Sequence, residues 1–415
     1  MNPMIEERDK EIDKTMKINI IKLMSTLHGE ENVINSLRPT MNFLEDNFDV
    51  NYQCQDSSEE ITVVWVMTGG VEGKFKEIYP WLKKPIILLA EDINNSLPAA
   101  LEILAYVREQ NEKAYILHGN FDEIKRDLEK FCLMQDAVER IENARIASIG
   151  GPSDWLIASH VDFHKAADRW GCKFIYIPIE DLLKSIKEIE CETCDDYFNK
   201  PAETVGISKK DVQESAKIYY ALKKLVREQN ITALTLKCFD LLDPFKNTGC
   251  LPLARLNDEG IIAGCEGDMP SLFTMFLAYI LTGKPSFMAN PSKIDIKANT
   301  ILLAHCTVPA SIVEEYSLKT HFESGIGVAV AGKFAKQPVT LVKLGGKNLD
   351  KLYVAEGSIV GNTDDENRCR TQIKVQVEYG LDSLLENPLG NHLIIVPGKV
   401  EKLFRDFMSY MEARQ

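Results

Sequence analysis

Short apolar runs alternate with amphipathic stretches through the first half of the chain, and runs of that kind are buried by layered α/β sheets. Residues 61–67, 85–90 and 114–118 read as strands and 97–110 as an amphipathic helix, with an earlier strand at 18–23 and a helix at 32–44. A strand that is apolar along its whole length belongs to a parallel sheet covered on both faces. A second series starts at Arg145, with strands at 146–149, 174–177 and 232–237 and a long helix at 209–229. After about residue 293 the texture becomes short strands at 300–304, 327–331, 339–344, 351–356, 372–377 and 393–397, followed by a helix at 399–412. Turn residues such as Gly345-Gly346 and Gly361-Asn362 punctuate these strands, which predicts an antiparallel sheet or barrel.

The expected fold class is α/β: two Rossmann-like parallel-sheet domains and then a mostly antiparallel, β-barrel-like domain. The expected domains are 1–145, 146–293 with Glu266 and Asn290, and 294–415 with His305 and His392. A chain of 415 residues exceeds what one core organises. No apolar run approaches the roughly 20 residues of a membrane span, and residues 272–281 read as a buried helix. Residues 1–17 are charged and lack the apolar core of a secretion signal, so a cytoplasmic location is expected. A net charge of -14, with scattered basic residues, argues against nucleic acid as a partner. Ten cysteines without an export signal are expected as reduced thiols.

Several smaller motifs carry two readings each. Cys191 and Cys194 form a lone pair with zinc or redox spacing, on a stretch that otherwise reads as a solvent-facing loop over 188–202. His160 and His164 are four apart, one helical face, with a surface or packing role favoured. The turn Gly150-Gly151-Pro152-Ser153-Asp154-Trp155 is expected to open a helix and offers amides to an anion or a sugar hydroxyl. It lacks the spaced glycines of a dinucleotide site, so no NAD is inferred. Asn95 or Ser96 is expected to cap the helix that Pro98 starts.

Four candidate metal donors lie at the ends of successive elements. Glu266, in Gly264-Cys265-Glu266-Gly267-Asp268, follows a strand-like run, where α/β sheets present their sites. Asn290 ends Phe287-Met288-Ala289-Asn290, His305 lies in Leu303-Ala304-His305-Cys306, and His392 in Gly390-Asn391-His392 abuts another strand. Such oxygen and nitrogen donors suit Mn²⁺ or another divalent ion. Each has a plainer reading: a core histidine at His305, a turn residue before Pro291 at Asn290, a salt-bridge partner at Glu266. Asp268 precedes Met269-Pro270-Ser271 and reads as a helix cap, with a catalytic carboxylate as the other reading. Asp240 and Asp243 follow a further strand and could reach the same cleft.

These residues resemble the L-fucose isomerase and L-arabinose isomerase superfamily, and most of all its fucose-isomerase-like proteins. The motif similarity runs from Leu236 to Pro309, and the domain order agrees over nearly the whole chain. The resemblance implies an aldose–ketose isomerase working through an enediol, with Mn²⁺ on Glu266, His305, His392 and a second carboxylate, and a trimeric or hexameric homo-oligomer acting on a small sugar. That second carboxylate falls at Asn290, which carries no charge and takes no proton. The departure keeps open other metal-assisted sugar chemistry, a lyase, aldolase or epimerase step, and a non-catalytic sugar-binding protein. Glu266, Asp268 and Asn290 are the candidate catalytic positions.

Overall fold

The computed structural model describes residues 16–52, 61–190 and 203–414, so Cys191 and Cys194 lie outside the described residues. The chain divides into two compact units, one reaching Glu139 and taking in the chain end from Arg405, the other running from Arg140 to Phe404.

The first unit holds five parallel strands, β1 (Lys17–Leu23), β2 (Asp49–Asn51), β3 (Ile61–Val66), β4 (Ile86–Ala90) and β5 (Ala114–Leu117), in the order β2-β1-β3-β4-β5. β4 is buried at every position and β3 at all but one, as their unbroken apolar character requires. Val64, Val66, Leu88 and Ala90 pack there with Phe75, Ala100, Ile103 and Val107. The helix Ser96–Glu109 corrects one expectation. Asn95 holds the cap position with a φ of 55° and makes no side-chain cap bond, because a capping side chain reaches the first-turn amides from an extended backbone. The Ser96 hydroxyl donates instead to the Val66 carbonyl.

The second unit contains a parallel sheet of β6 (Arg145–Ile149), β7 (Lys173–Ile177), β9 (Ala233–Leu236) and β10 (Ile262–Cys265), ordered β10-β9-β6-β7. From β6 the chain passes to β7 on one side and returns to β9 on the other. Strand order therefore reverses between β6 and β9, which is where open sheets form their crevice. The Gly150–Trp155 turn sits at the end of β6, but no helix starts there. Gly150 and Gly151 are left-handed, with φ of 84° and 76°, and the helix Phe163–Trp170 begins only after Asp162, which accepts from the His164 and Lys165 amides. His160 thus lies outside the helix that holds His164, and the two exposed histidines share no helical face.

The C-terminal part carries β11 (Phe287–Asp295), β12 (Thr300–His305), β13 (Glu315–Lys319), β14 (Ala329–Lys333), β15 (Pro338–Gly345), β16 (Lys351–Asn362), β17 (Thr371–Val377) and β18 (Leu393–Pro397). Six of them close an antiparallel barrel in the order β11-β12-β17-β16-β15-β18, with β18 returning to β11. β13 and β14 form a separate small sheet with β8 (Glu203–Val205). Parallel α/β sheets and an antiparallel barrel are the architecture expected from the sequence. No helix among the described residues is long and apolar enough to cross a membrane.

The helix Met269–Thr282 joins sheet to barrel. It packs on β9 and β10 on one side and on β15 and β18 on the other, so nearly every residue in it is buried and its sequence is apolar all round. Thr274 accepts from the Leu344 amide at 2.9 Å and so satisfies a backbone donor of β15.

A second junction in this unit generates a pH-dependent prediction. Glu259 accepts from Tyr219 Oη at 2.6 Å, Lys223 Nζ at 2.6 Å and Arg255 Nε at 2.8 Å. Burial pushes its pKa up, but the Lys223, Tyr219 and Arg255 donors outweigh that and hold it below the usual carboxylate range. A depressed folded-state pKa contributes stability above the unfolded value that is lost as pH falls through the folded one. Glu259→Gln is expected to reduce unfolding free energy by about 1–3 kcal/mol at neutral pH. In urea titrations the gap between the two proteins should close below about pH 4, and a pH-independent gap would contradict the assignment.

Candidate metal centre

β10 ends at Cys265, and the next two residues turn back with left-handed backbones, Glu266 at a φ of 61° and Gly267 at 70°. That conformation disfavours a residue with a Cβ by roughly 1–2 kcal/mol, so the surroundings must hold Glu266 in it. They do so from β9 and from the turn that follows β6. The Gly267 amide donates to the Leu236 carbonyl of β9 at 3.0 Å, and the Glu266 carbonyl accepts from the Ser153 amide at 2.9 Å. Ser153, part of the turn predicted to offer free amides, therefore has its own amide engaged. A Cβ on Gly267 would stand 1.9 Å from the Gly151 carbonyl oxygen, so only glycine allows the two turns to touch. Glu266 is thereby carried across β9 to the point where strand order reverses.

Two imidazoles reach the same place from the barrel. His305 is the last residue of β12, and His392 immediately precedes β18; both strands flank β11. Glu266 Oε1 lies 3.6 Å from His305 Nε2 and 3.5 Å from His392 Nε2. One donor atom from each of the three residues falls within 4.8 Å of the others. Donors each about 2.1 Å from a common ion stand roughly 3.0–3.4 Å apart, so the spacing is close to that of a coordination shell. His392 Nε2 and His305 Nδ1 are buried with no hydrogen-bond partner, an arrangement that folded proteins seldom leave without a purpose. The donor set of one carboxylate and two imidazoles fits a divalent transition ion.

The charges point the same way. Burial raises the Glu266 pKa, yet the His305 and His392 imidazoles outweigh it and keep the carboxylate ionised. Burial opposes a charged His392, but Asp268 and Glu266 raise its pKa above the ordinary value. The two carboxylates thus favour positive charge at this spot, whether proton or metal supplies it.

Asp268 is completely buried and is the N-cap of the helix Met269–Thr282, as its place before Met-Pro-Ser predicts. Its Oδ1 accepts from the Ser271 amide at 2.9 Å, and its Oδ2 from Ser271 Oγ at 2.7 Å, Lys343 Nζ at 3.3 Å and His392 Nδ1 at 2.8 Å. Burial would raise its pKa, and Lys343 with His392 reverses this, so the group stays an acceptor. An ionised acceptor there requires the proton on His392 Nδ1, so Nε2, facing Glu266, is the nitrogen that can take a second proton or a metal ion.

The remaining predicted residues lie around this core. Asn290, on β11, accepts at Oδ1 from Asn391 Nδ2 at 3.1 Å, one residue before His392. Asp243 is fully exposed and pairs with Lys246 at 3.1 Å, and Asp240 faces Lys237 at 3.8 Å; neither joins the three-residue group. Cys238 Sγ and Cys265 Sγ approach to 2.9 Å beneath the Glu266 turn, and both are free thiols. Two contributors carry no role in the sequence reading. Lys343 gives one signal, a lone charge within the apolar strand Leu341-Val342-Lys343-Leu344. Trp155 belongs to the glycine turn already singled out, and its Nε1 donates to Glu266 Oε2 at 2.7 Å.

Two substitutions test this construction. Gly267→Ala should destabilise the protein by more than about 2 kcal/mol in chemical denaturation, since the methyl forces the two turns apart; unchanged stability would remove the close approach from the explanation. Lys343→Met should cost roughly 3 kcal/mol or more in chemical denaturation by leaving Asp268 without its buried cation, and wild-type stability would refute the pairing.

No protein-family model matches the chain. Among individual proteins it is similar to the sulfoquinovose isomerase of Alkalicoccus urumqiensis, 22% identical over 330 residues that cover 75% of this chain and 74% of that one. It is also similar to the sulfoquinovose isomerase of Clostridium sp. (strain MSTE9), 25% identical over 242 residues, 55% of this chain and 53% of that protein. A third, from Priestia aryabhattai, is 20% identical over 300 residues, 68% of this chain and 65% of that protein. All three are named as isomerases of a sugar.

Proposed function

We propose that this protein is a metal-dependent sugar isomerase that interconverts an aldose and a ketose through an enediol. The observation that carries the reading is the convergence of one ionised carboxylate and two buried imidazoles, with His392 Nε2 facing Glu266 and lacking a hydrogen-bond partner. The similarity to sulfoquinovose isomerases supports the substrate class.

In this reading Glu266, His305 and His392 hold a divalent ion of the Mn²⁺ class. Such an ion, when bound, polarises a carbonyl and offsets the negative charge that develops on oxygen. The chain supplies the rest. Glu266 removes the proton from C2 and returns it to C1 on the same face while the O2 hydroxyl proton passes to O1, so one carboxylate suffices for the transfer between the carbons. This accounts for a neutral residue at Asn290. Asp268 is closed off by Ser271, Lys343 and His392, so its part is to fix the His392 ring rather than to touch the sugar.

The test is solvent deuterium uptake. The full chain is incubated in D₂O with Mn²⁺ and a panel containing sulfoquinovose, L-fucose and L-arabinose, and label at C1 and C2 is followed by NMR. Ketose product labelled at C1 is expected for at least one aldose, and Glu266→Gln should slow it by about 10²- to 10⁴-fold. Exchange with no sugar on the panel would sink the proposal. Label at C2 with an epimeric aldose and no ketose would identify the epimerase alternative that Asn290 leaves open.

A further inference from the structure

Trp155 has features that the metal cage alone does not use. Its indole Nε1 donates to Glu266 Oε2 at 2.7 Å, on the oxygen facing away from the two imidazoles. Yet 51% of the residue is exposed, an unusual state for a tryptophan hydrogen-bonded to a buried carboxylate. One side is buttressed: Phe239 meets it edge-on with ring centroids 4.8 Å apart at 80°, and Phe239 rests in turn against His321 at 5.2 Å. The backbone is fixed as well, through the Ser153 amide on the Glu266 carbonyl and the Leu156 amide on the Ser153 carbonyl, each at 2.9 Å. Among the described residues this supported ring, half exposed beside the carboxylate, has no other aromatic ring stacked on its face.

We infer that Trp155 is both the stacking platform for the C–H face of a sugar and the positioning residue that keeps Glu266 Oε1 turned toward His305 and His392. The inference rests on the isomerase reading for the identity of the ligand as a sugar. Its physical content is separable into two parts. An indole presents an electron-rich face that attracts the slightly positive C–H groups of a pyranose or an extended sugar chain. The indole N–H makes a charge-assisted hydrogen bond, and outer groups that orient a ligand in this way typically contribute 10- to 100-fold to metal affinity or activity. The position is suited to both, because the turn holding Trp155 and the turn holding Glu266 are in backbone contact.

Two variants separate the parts. Trp155→Phe keeps a flat ring and removes the N–H; Trp155→Ala removes both. Trp155→Phe should weaken Mn²⁺ binding about 10-fold in calorimetry and lower kcat with KM changed by less than about 3-fold. Trp155→Ala should in addition weaken sugar binding by at least about 10-fold. A direct readout needs no turnover. Of the four tryptophans, Trp65 and Trp170 are buried and Trp81 is exposed in the first unit, so saturable quenching of fluorescence by sulfoquinovose, L-fucose or L-arabinose, measured in a Trp81→Phe background, should vanish when Trp155→Phe is added. Quenching that persists in Trp155→Phe, or undiminished sugar binding by a folded Trp155→Ala, overturns the platform. Unchanged Mn²⁺ affinity in Trp155→Phe overturns the positioning role. If no probe sugar quenches the wild type while deuterium exchange proceeds, the platform fails and the isomerase reading stands; quenching without exchange has the opposite meaning.

Discussion

A single buried carboxylate, that of Asp268, organises the junction on which the site depends. It closes the first turn of the helix Met269–Thr282, neutralises Lys343 of the barrel and fixes the ring of His392. Each of those groups would be costly in a dry interior without it. The helix in turn is apolar on every face because it has protein on every face, with the parallel sheet on one side and β15 and β18 on the other. One charge cluster therefore aligns three layers, and Glu266 lies two residues upstream of its centre. The site is made where two folds meet, and neither holds all three donors.

Much of the fold is legible in the sequence because the local signals agree with the tertiary outcome. β18 and the helix Lys209–Gln229 have the bounds that their patterns predict, and β1, β3, β4 and β6 differ by a residue or so at their ends. The exceptions have local causes. β11 does not read as a strand because Pro291 interrupts it and its second half is polar; the register shift between Pro291 and Lys293 is where the ladder absorbs the proline. The glycine turn after β6 looks like a helix start because small residues precede a mixed apolar stretch, whereas the chain wanders to Asp162 first. β14 overlaps the strand expected at 327–331, whereas its partners β13 and β8 are mostly polar and little buried and so leave no apolar pattern to read.

The donors at Glu266, His305 and His392 were legible as residue types at strand ends, since ligand chemistry is written in side chains. Their supporting groups were not. Lys343 stands out only as a charge in an apolar strand and declares its partner only once Asp268 is placed beside it. Trp155 reads as one more residue of a turn, because the meeting of β6 and β10 loops is set by strand order and not by sequence distance. Asn290 shows the reverse: a departure plain in the sequence, whose place beside Asn391 is given by β11 lying next to β18.

The left-handed backbone at Glu266 has a consequence for how this position changes over time. Random replacement at a site with that geometry drifts toward glycine, asparagine or aspartate, which occupy it with less strain. A long acidic side chain persists against such drift only while something selects for its reach, and loss of the chemistry should leave its earliest mark at this residue, well before the surrounding strands lose their apolar character.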